Sequence, residues 1–443
     1  MSRILAPEPS LQDPQRPAHR PATGALARVA GTTRTLDAVL IVAFFALLPV
    51  ERFVSFDVAG FTVRPAYLCM GLFLLLHLRS LAAGFRAMPT VALIALAIVV
   101  SLPLTFDPKE SAGYTLWAAF TIGFALAAVG YLREDGRRIE AWVELYCATA
   151  AAWGLFTIGQ WLASFANANL AYSWLGSLPR VQALGQESSF FAFYLIPPLF
   201  LCLGARRRIW AVPIILALVL STSRSGLVGM ILGAAVLLVL GNRSGRIAVA
   251  KGALVAAVAF AAFAVPVALN YQPIGTVPGA VPPSEAHRGD KAKRIDKDFV
   301  RLGDDASTSP RLQSWKDAFS TYEQAPATGV GIGAYGQAMH ERGVSVTVPT
   351  SMLKTTNLWL EALAELGPLG LLALLVWTFA PVPFLWRARD GTRLAVPLIA
   401  GIVASSAMFA FTQTWWVPYR WVLWILAYAL VGTALSATLR RAR

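Results

Sequence analysis

Apolar runs without a polar stripe dominate the chain from residue 37 onward. A helix that has no polar face either lies in a deep core or faces lipid, and so many such runs in one chain favour lipid. The pattern predicts an all-α polytopic membrane protein with about twelve transmembrane helices, several of which must extend into flanking residues to reach the ~20 residues that cross hydrocarbon. The predicted spans are 37–50, 66–78, 91–104, 114–131, 142–165, 189–203, 209–221, 226–240, 247–269, 358–384, 394–411 and 416–439.

The polar positions divide the chain into four parts. Residues 1–36 are rich in Pro, Arg and Ala and predict a disordered cytoplasmic tail. Helices 1 to 9 occupy 37–270, a large polar loop occupies 271–355, and 356–443 hold helices 10 to 12 and a second cytoplasmic tail. The loop starts with a Pro- and Gly-rich stretch and a mixed-charge stretch, 288–305, which we expect to be solvated and mobile.

Order is expected to return in the second half of the loop. Ser309 and Pro310 are typical of a helix start, as N-cap and first-turn residue. The apolar residues that follow recur at helical spacing and predict an amphipathic helix lying on the membrane face. These residues are Leu312, Trp315, Phe319 and Tyr322.

Composition and charge support the membrane interpretation and fix an orientation. The 443 residues are 56% hydrophobic and 14% charged, too few charges to cover a soluble globule of this size. The net charge of +14 comes largely from short Arg clusters between apolar runs, which is the positive-inside pattern rather than a nucleic-acid surface. Because the clusters occupy alternate connections, both termini are predicted in the cytoplasm and the 271–355 loop outside it.

The residue pattern argues against several site types. Cys69, Cys147 and Cys202 lie in apolar runs without CxxC spacing, so we interpret them as buried hydrophobes. No cleavable signal peptide is evident at the N-terminus. The run GVGIGAYG at 329–336 contains a formal GxGxxG, but no βαβ unit surrounds it. Its glycines therefore predict tight turns against the membrane or a ligand rather than a dinucleotide site.

Single arginines on the outer side are different from the cytoplasmic clusters, because they do not serve orientation. Because a charge near the membrane is costly, a charge there without an orienting role indicates a functional site. Arg224 lies in the polar break STSRSG at 221–226, where a snorkelling or turn role is the alternative. Arg420 follows Trp415 and Trp416, so an anchor in an outer aromatic belt explains it at least as well.

Residues 356–370, TNLWLEALAELGPLG, resemble the signature of the O-antigen ligase and O-antigen polymerase superfamily. Asn357, Gly367 and Gly370 match that pattern, whereas Thr356 occupies the position of the ligase His. The Ser-x-Ser-Arg-x-Gly turn at Arg224, the Arg-x-x-x-Trp start of the loop helix at Arg311 and the glycine run are also similar to the family. The resemblance covers roughly 173–386 and implies a GT-C-like fold.

The resemblance implies transfer of a glycan from undecaprenyl diphosphate to a saccharide or lipid-linked acceptor, in surface polysaccharide (O-antigen or exopolysaccharide) biosynthesis at the periplasmic face of a bacterial inner membrane. It implies neither metal nor cofactor, and no nucleic acid. Arg224 and Arg311 are the predicted diphosphate clamp, since Arg is a permanent bidentate phosphate donor. Glu187 is the predicted catalytic base; pairing with Arg180 or Arg224 is its alternative role. The predicted substrate-binding residues are Arg180, His340, Thr356, Asn357, Glu361 and Arg420.

Other functions stay open at this point. A polysaccharide or lipid-linked-oligosaccharide transporter or flippase is the main alternative, but the two halves show no repeat and the polar residues gather at the outer face. A scaffold would leave Arg224 and Asn357 without a role. Thr356 weakens a lipid A–core ligase interpretation and is compatible with a polymerase.

Overall fold

The computed structural model describes residues 35–50, 56–58, 61–166, 173–175, 178–185, 187–204, 207–268, 308–343, 354–413 and 415–441. A helix forms in each of the twelve predicted apolar runs. The helices are α1 Thr35–Leu47, α2 Pro65–Leu76, α3 Leu81–Ala87, α4 Val91–Ser101, α5 Pro108–Glu134, α6 Gly136–Ala166, α7 Ser188–Gly204, α8 Arg208–Leu220, α9 Arg224–Leu240, α10 Arg243–Ala268, α11 Thr308–Tyr322, α12 Tyr335–Glu341, α13 Leu358–Phe379, α14 Pro381–Ala388, α15 Ala395–Met408 and α16 Pro418–Arg441. The predicted tail before residue 35 and the mobile loop stretch 288–305 lie outside the described residues.

Two connections between helices form short antiparallel hairpins, which the sequence pattern did not predict, within an otherwise helical structure. Strands β1 Phe56–Val58 and β2 Phe61–Val63 pair in one hairpin. Strands β3 Ser173–Leu175 and β4 Leu178–Arg180 pair in the other, with Ser173 opposite Arg180. Aromatic and β-branched residues alternate with polar ones in the first hairpin, which suits a strand, but runs of three residues are too short to predict.

Among the described residues, four helices are long and apolar enough to cross a membrane, and a fifth results if the bent pair Pro65–Leu76 and Leu78–Ala87, at 73°, is one span. The four are Pro108–Glu134, Gly136–Ser164, Arg243–Ala261 and Leu358–Ala388. The protein is therefore an integral membrane protein. Helices such as α7, with 17 residues, extend only about 25 Å against a ~30 Å hydrocarbon core. The count of twelve spans stays a prediction.

Helix α7 is the central helix of the core, with every side chain from Ser188 to Leu203 buried. Two glycines of α9 allow this helix to approach α7 closely: Gly226 lies against Ala192 and Gly233 against the Phe200 ring. Because the residue numbers of both contacts increase together, α7 and α9 run parallel. Helix α15 runs the opposite way, because Gly204 meets Pro397 while the ring of Phe193 stacks on that of Phe409, 5.4 Å away. The starts of α7 and α9 and the end of α15 therefore lie at one end of the molecule.

A backbone break divides α13 in its first half. Gly367 has φ 67° and ψ −166°, inside an otherwise helical segment, and Pro368 follows it. The glycine run packs against this break: the Val330 amide donates to the Ala364 carbonyl and the Gly331 amide to the Glu365 carbonyl, both at 2.9 Å. The turns are tight, as predicted, and they lie against the break in α13.

Candidate active site

Arg224 begins α9 directly after a strained polar turn. Thr222 has φ 49°, an uncommon left-handed value for a β-branched residue. Ser223 caps the helix, since its hydroxyl accepts from the Gly226 amide at 3.2 Å. No acidic residue lies in the first turn of α9, so the N-terminal partial positive charge adds to the half-buried Arg224 guanidinium. An anion would be stabilised at this end of the helix.

Arg420, by contrast, is buried at the start of α16, with 1% of its surface exposed. Its guanidinium carbon lies 5.4 Å from the centroid of the Phe190 ring and 5.0 Å from that of Phe193, both near the start of α7. Trp415 and Trp416 are each 4% exposed and stack with ring centroids 4.8 Å apart. These positions contradict the aromatic-belt interpretation, because a belt residue keeps its polar edge in the headgroup region.

Glu187 is exposed immediately before α7, and its carbonyl accepts from the Phe191 amide at 3.1 Å. It thus lies at the same end of the molecule as Arg224 and Arg420. Arg180, seven residues before Glu187, is the last residue of strand β4. This strand contacts α6.

Asn357 caps α13 and so has a structural role in the signature. Its side-chain oxygen accepts from the amides of Trp359 and Leu360 at 3.0 and 3.2 Å. Glu361, 7% exposed, follows in the first turn, where a carboxylate is favoured by the helix dipole. Thr356 precedes the cap, and within the described part of the chain its buried hydroxyl has no hydrogen-bond partner.

The predicted loop helix forms as α11 and contacts this capped start. The Thr356 amide donates to the Ser314 hydroxyl at 3.1 Å, one turn after the half-buried Arg311. On the same helix, the Trp315 ring lies 6.2 Å from that of Phe411, at the end of α15. Helix α11 is therefore held against both α13 and the turn after α15.

An aromatic contact chain connects this region to the arginines. The Trp359 indole donates to the Ser406 carbonyl at 3.2 Å, and its ring lies 5.4 Å from Phe409. Phe409 in turn stacks on Phe193, which lies against the Arg420 guanidinium. The signature residues and Arg420 thus border one aromatic cluster at the end of α15.

A charged group that the sequence did not indicate lies beside the signature. The Lys354 ammonium lies 4.3 Å from the centroid of the Tyr114 ring, on α5. Burial lowers the pKa of Lys354, but Glu365, Tyr114 and Glu361 together outweigh burial and hold that pKa above its ordinary value. Lys354 lies two residues before the signature, which could have drawn attention to it, but its ring contact, Tyr114, comes from a distant segment of the chain.

His340 is not brought to the signature residues. It is exposed in the last turn of α12, while the buried face of that helix packs Tyr335 and Met339 against α11 and α13. Burial raises the pKa of the Tyr335 phenol well above its ordinary value. Within the described residues, no group of three or more His, Cys, Asp or Glu side chains could hold a metal ion.

Comparison with known proteins gives one result. The O-antigen ligase family model matches residues 209–375, from α8 into α13, which includes Arg224, the loop helix and the signature turn. No curated protein matches the chain. Proteins of this family are polysaccharide ligases or polymerases that act on lipid-linked glycans. Residues 209–375 of this membrane protein thus form a domain of the O-antigen ligase family.

Proposed function

We propose that the protein is a membrane glycosyltransferase that moves a glycan from undecaprenyl diphosphate to a saccharide acceptor at the periplasmic face, in surface polysaccharide biosynthesis. The family domain carries the general role. The observation that carries the specific reaction is the common position of Arg224 and Arg420 beside α7, at the end of the molecule where the exposed Glu187 also lies.

The reaction needs a cation at the leaving group and a proton acceptor at the nucleophile. The acceptor hydroxyl oxygen bonds to the anomeric carbon, the bond from that carbon to the diphosphate oxygen breaks, and undecaprenyl diphosphate leaves with the electron pair. Arg224, at the start of α9, and Arg311 stabilise the charge that develops on the diphosphate. The exposed Glu187 carboxylate takes the hydroxyl proton.

Thr356 favours polymerisation over ligation onto lipid A–core. The buried hydroxyl of Thr356 lacks a hydrogen-bond partner among the described residues, so it is positioned to accept from or donate to a bound saccharide hydroxyl. A threonine cannot take a proton as the histidine of the ligase signature can at neutral pH, so the proton must go elsewhere. Glu187 supplies that alternative.

The reaction face follows from the predicted orientation. The Arg-rich connections lie at the ends of helices opposite Arg224, for example at Arg243 after α9. If these connections are cytoplasmic, the starts of α7, α9 and α13 and the docked loop helix face the periplasm of a bacterial inner membrane.

Removing the proposed clamp tests the assignment. Arg224→Ala and Arg311→Ala are expected to reduce surface polysaccharide at least ~100-fold, as loss of a charge-stabilising donor does. The readout is the amount and chain length of polysaccharide in a deletion strain that carries each variant, normalised to membrane protein. Polymerase activity predicts single-repeat glycans in the deletion strain, whereas ligase activity predicts long polymer that remains on the carrier lipid.

Two matched arginines serve as controls. Arg243 also begins a helix, but about 25 Å away at the other end of α9, and it is exposed. Arg342 is exposed in the same loop as Arg311. Arg243→Ala and Arg342→Ala should leave polysaccharide unchanged. Normal polysaccharide in Arg224→Ala and Arg311→Ala would overturn the proposed function.

A further inference from the structure

We propose that Glu365 and Lys354 are positioning residues that hold the glycine run 329–336 and the Thr356 turn in one fixed arrangement. Neither residue is part of the proposed clamp or base. The activity part of the proposal rests on the proposed function, whereas the structural part does not.

Glu365 accepts hydrogen bonds from the backbone amides of the glycine run. Its carboxylate accepts from the Gly333 amide at 2.9 Å, and its main-chain carbonyl accepts from the Gly331 amide at 2.9 Å. Gly331 and Gly333 both have positive φ, 102° and 76°, a backbone form that gathers N–H groups into a concave anion site. Here the bound anion is the chain's own carboxylate, so these amides are not available to a substrate phosphate.

The opposite side of the glycine run is bound to the start of α5. The Phe106 amide donates to the Val330 carbonyl at 2.9 Å, and the Ser111 hydroxyl donates to the Ile332 carbonyl at 2.7 Å. A Cβ on Gly333 would lie 2.3 Å from the Tyr114 ring, so the run fits closely there. The run therefore fills the space between α5 and the break in α13.

Lys354 compensates the charge that Glu365 brings into this space. Glu365 is 6% exposed, and a buried carboxylate is costly unless a cation and hydrogen bonds accompany it. The Lys354 ammonium interacts electrostatically with Glu365 and Glu361 and lies over the Tyr114 ring. Because Lys354 is two residues before Thr356, the same interactions fix the turn that presents the Thr356 hydroxyl.

Hydrogen exchange of the purified full-length protein in detergent tests the structural part. Lys354→Met and Glu365→Gln each leave one charge without its partner, so exchange of the 329–336 amides should rise roughly tenfold while α9 stays protected. The double variant removes both charges and keeps an acceptor for Gly333, so its exchange should fall below that of either single variant. Glu341→Gln, the same change at an exposed position in the loop, should have no effect.

Polymer synthesis separates positioning from simple destabilisation. Membrane vesicles are supplied with the lipid-linked saccharide fraction extracted from a deletion strain. A variant that merely folds less well lowers the maximal rate, whereas a displaced Thr356 turn raises the KM for this donor, by roughly tenfold in Lys354→Met. Lys354→Arg, which keeps the cation, should retain a KM near that of the wild type.

The outcomes decide separately on the two proposals. Unchanged exchange at 329–336 in both single variants would overturn the positioning role, and so would a double variant that exchanges faster than either. A raised KM with unchanged exchange would also overturn it, since Lys354 would then contact the donor directly. If the wild-type vesicles make no polymer, the proposed function fails, while the exchange experiment still decides on the positioning role.

Discussion

Two regions at the same end of the molecule handle charge in opposite ways. The arginine region, around Arg224 and Arg420, has guanidinium groups at the starts of α9 and α16 and the exposed Glu187 nearby. The lysine region, around Lys354, balances its ammonium against the buried carboxylates of Glu361 and Glu365. The starts of α7 and α9 in the arginine region carry no acidic residue in the first turn, whereas α13 beside Lys354 has Glu361 there.

The difference indicates which cations suit an anionic substrate. A cation that is already compensated by buried carboxylates gains little from a diphosphate and would leave those carboxylates unpaired if it moved. A guanidinium at a helix start gains from both its own charge and the helix dipole. We therefore assign substrate charge to the arginine region and internal order to the lysine region.

Replacing Arg224 by lysine should have the largest effect and tests the arginine region. Lysine keeps the charge but not the planar bidentate donor, so Arg224→Lys is expected to lower polysaccharide at least ~100-fold, nearly as far as alanine. Gel analysis of surface glycan in a complemented deletion strain measures it. Activity near the wild-type level would mean that a point charge suffices and that the guanidinium geometry has no role.

Gly333→Ala should disturb the lysine region by about 2 kcal/mol of unfolding free energy, because the residue has φ 76° and its Cβ would meet the Tyr114 ring at 2.3 Å. Gly343→Ala is the matched control: Gly343 has φ 72°, but a Cβ there meets nothing within 4 Å. Denaturant or thermal unfolding in detergent should show a clearly smaller loss for Gly343→Ala. Equal losses would mean that the close fit at Tyr114 contributes nothing.

Asn357→Ala should cost about 1 kcal/mol, since it removes the side chain that accepts from the Trp359 and Leu360 amides. Asn357→Asp keeps the acceptor and should retain most of the stability. Thermal unfolding of the two variants measures the difference. If alanine and aspartate are equally destabilising, Asn357 contributes through its amide nitrogen rather than as a cap.

The smallest expected effect is a pH dependence confined to the alkaline range. The pKa of Lys354 is held above its ordinary value, so its contribution to stability is complete below the unfolded pKa of about 10.4 and is lost as pH rises through the folded value. The stability difference between wild type and Lys354→Met should therefore be the same at about pH 7 and 9. A difference that shrinks by about pH 9 would mean that the carboxylates do not hold this proton.

Local patterns predicted a large part of what the structure contains. A helix forms in every apolar run because an unstriped run of such residues is stable only as a buried or lipid-facing helix. The spacing of Trp315 and Phe319 was sufficient to predict α11, and Asn357 before an apolar run is a local cap signal. The hairpins were missed because three-residue strands carry almost no periodicity.

In the candidate site, too, some features were predictable from local sequence patterns and others were decided by tertiary contacts. The sequence by itself determined the residue types and their order: an arginine after a polar turn, a loop helix and the Asn357 signature. Tertiary structure alone decided that Arg420 is buried against Phe190 and Phe193 rather than in a belt, and that Glu365 binds the glycine run. Those contacts join segments far apart in sequence, and a buried charge reveals its partners only when packing excludes water from both.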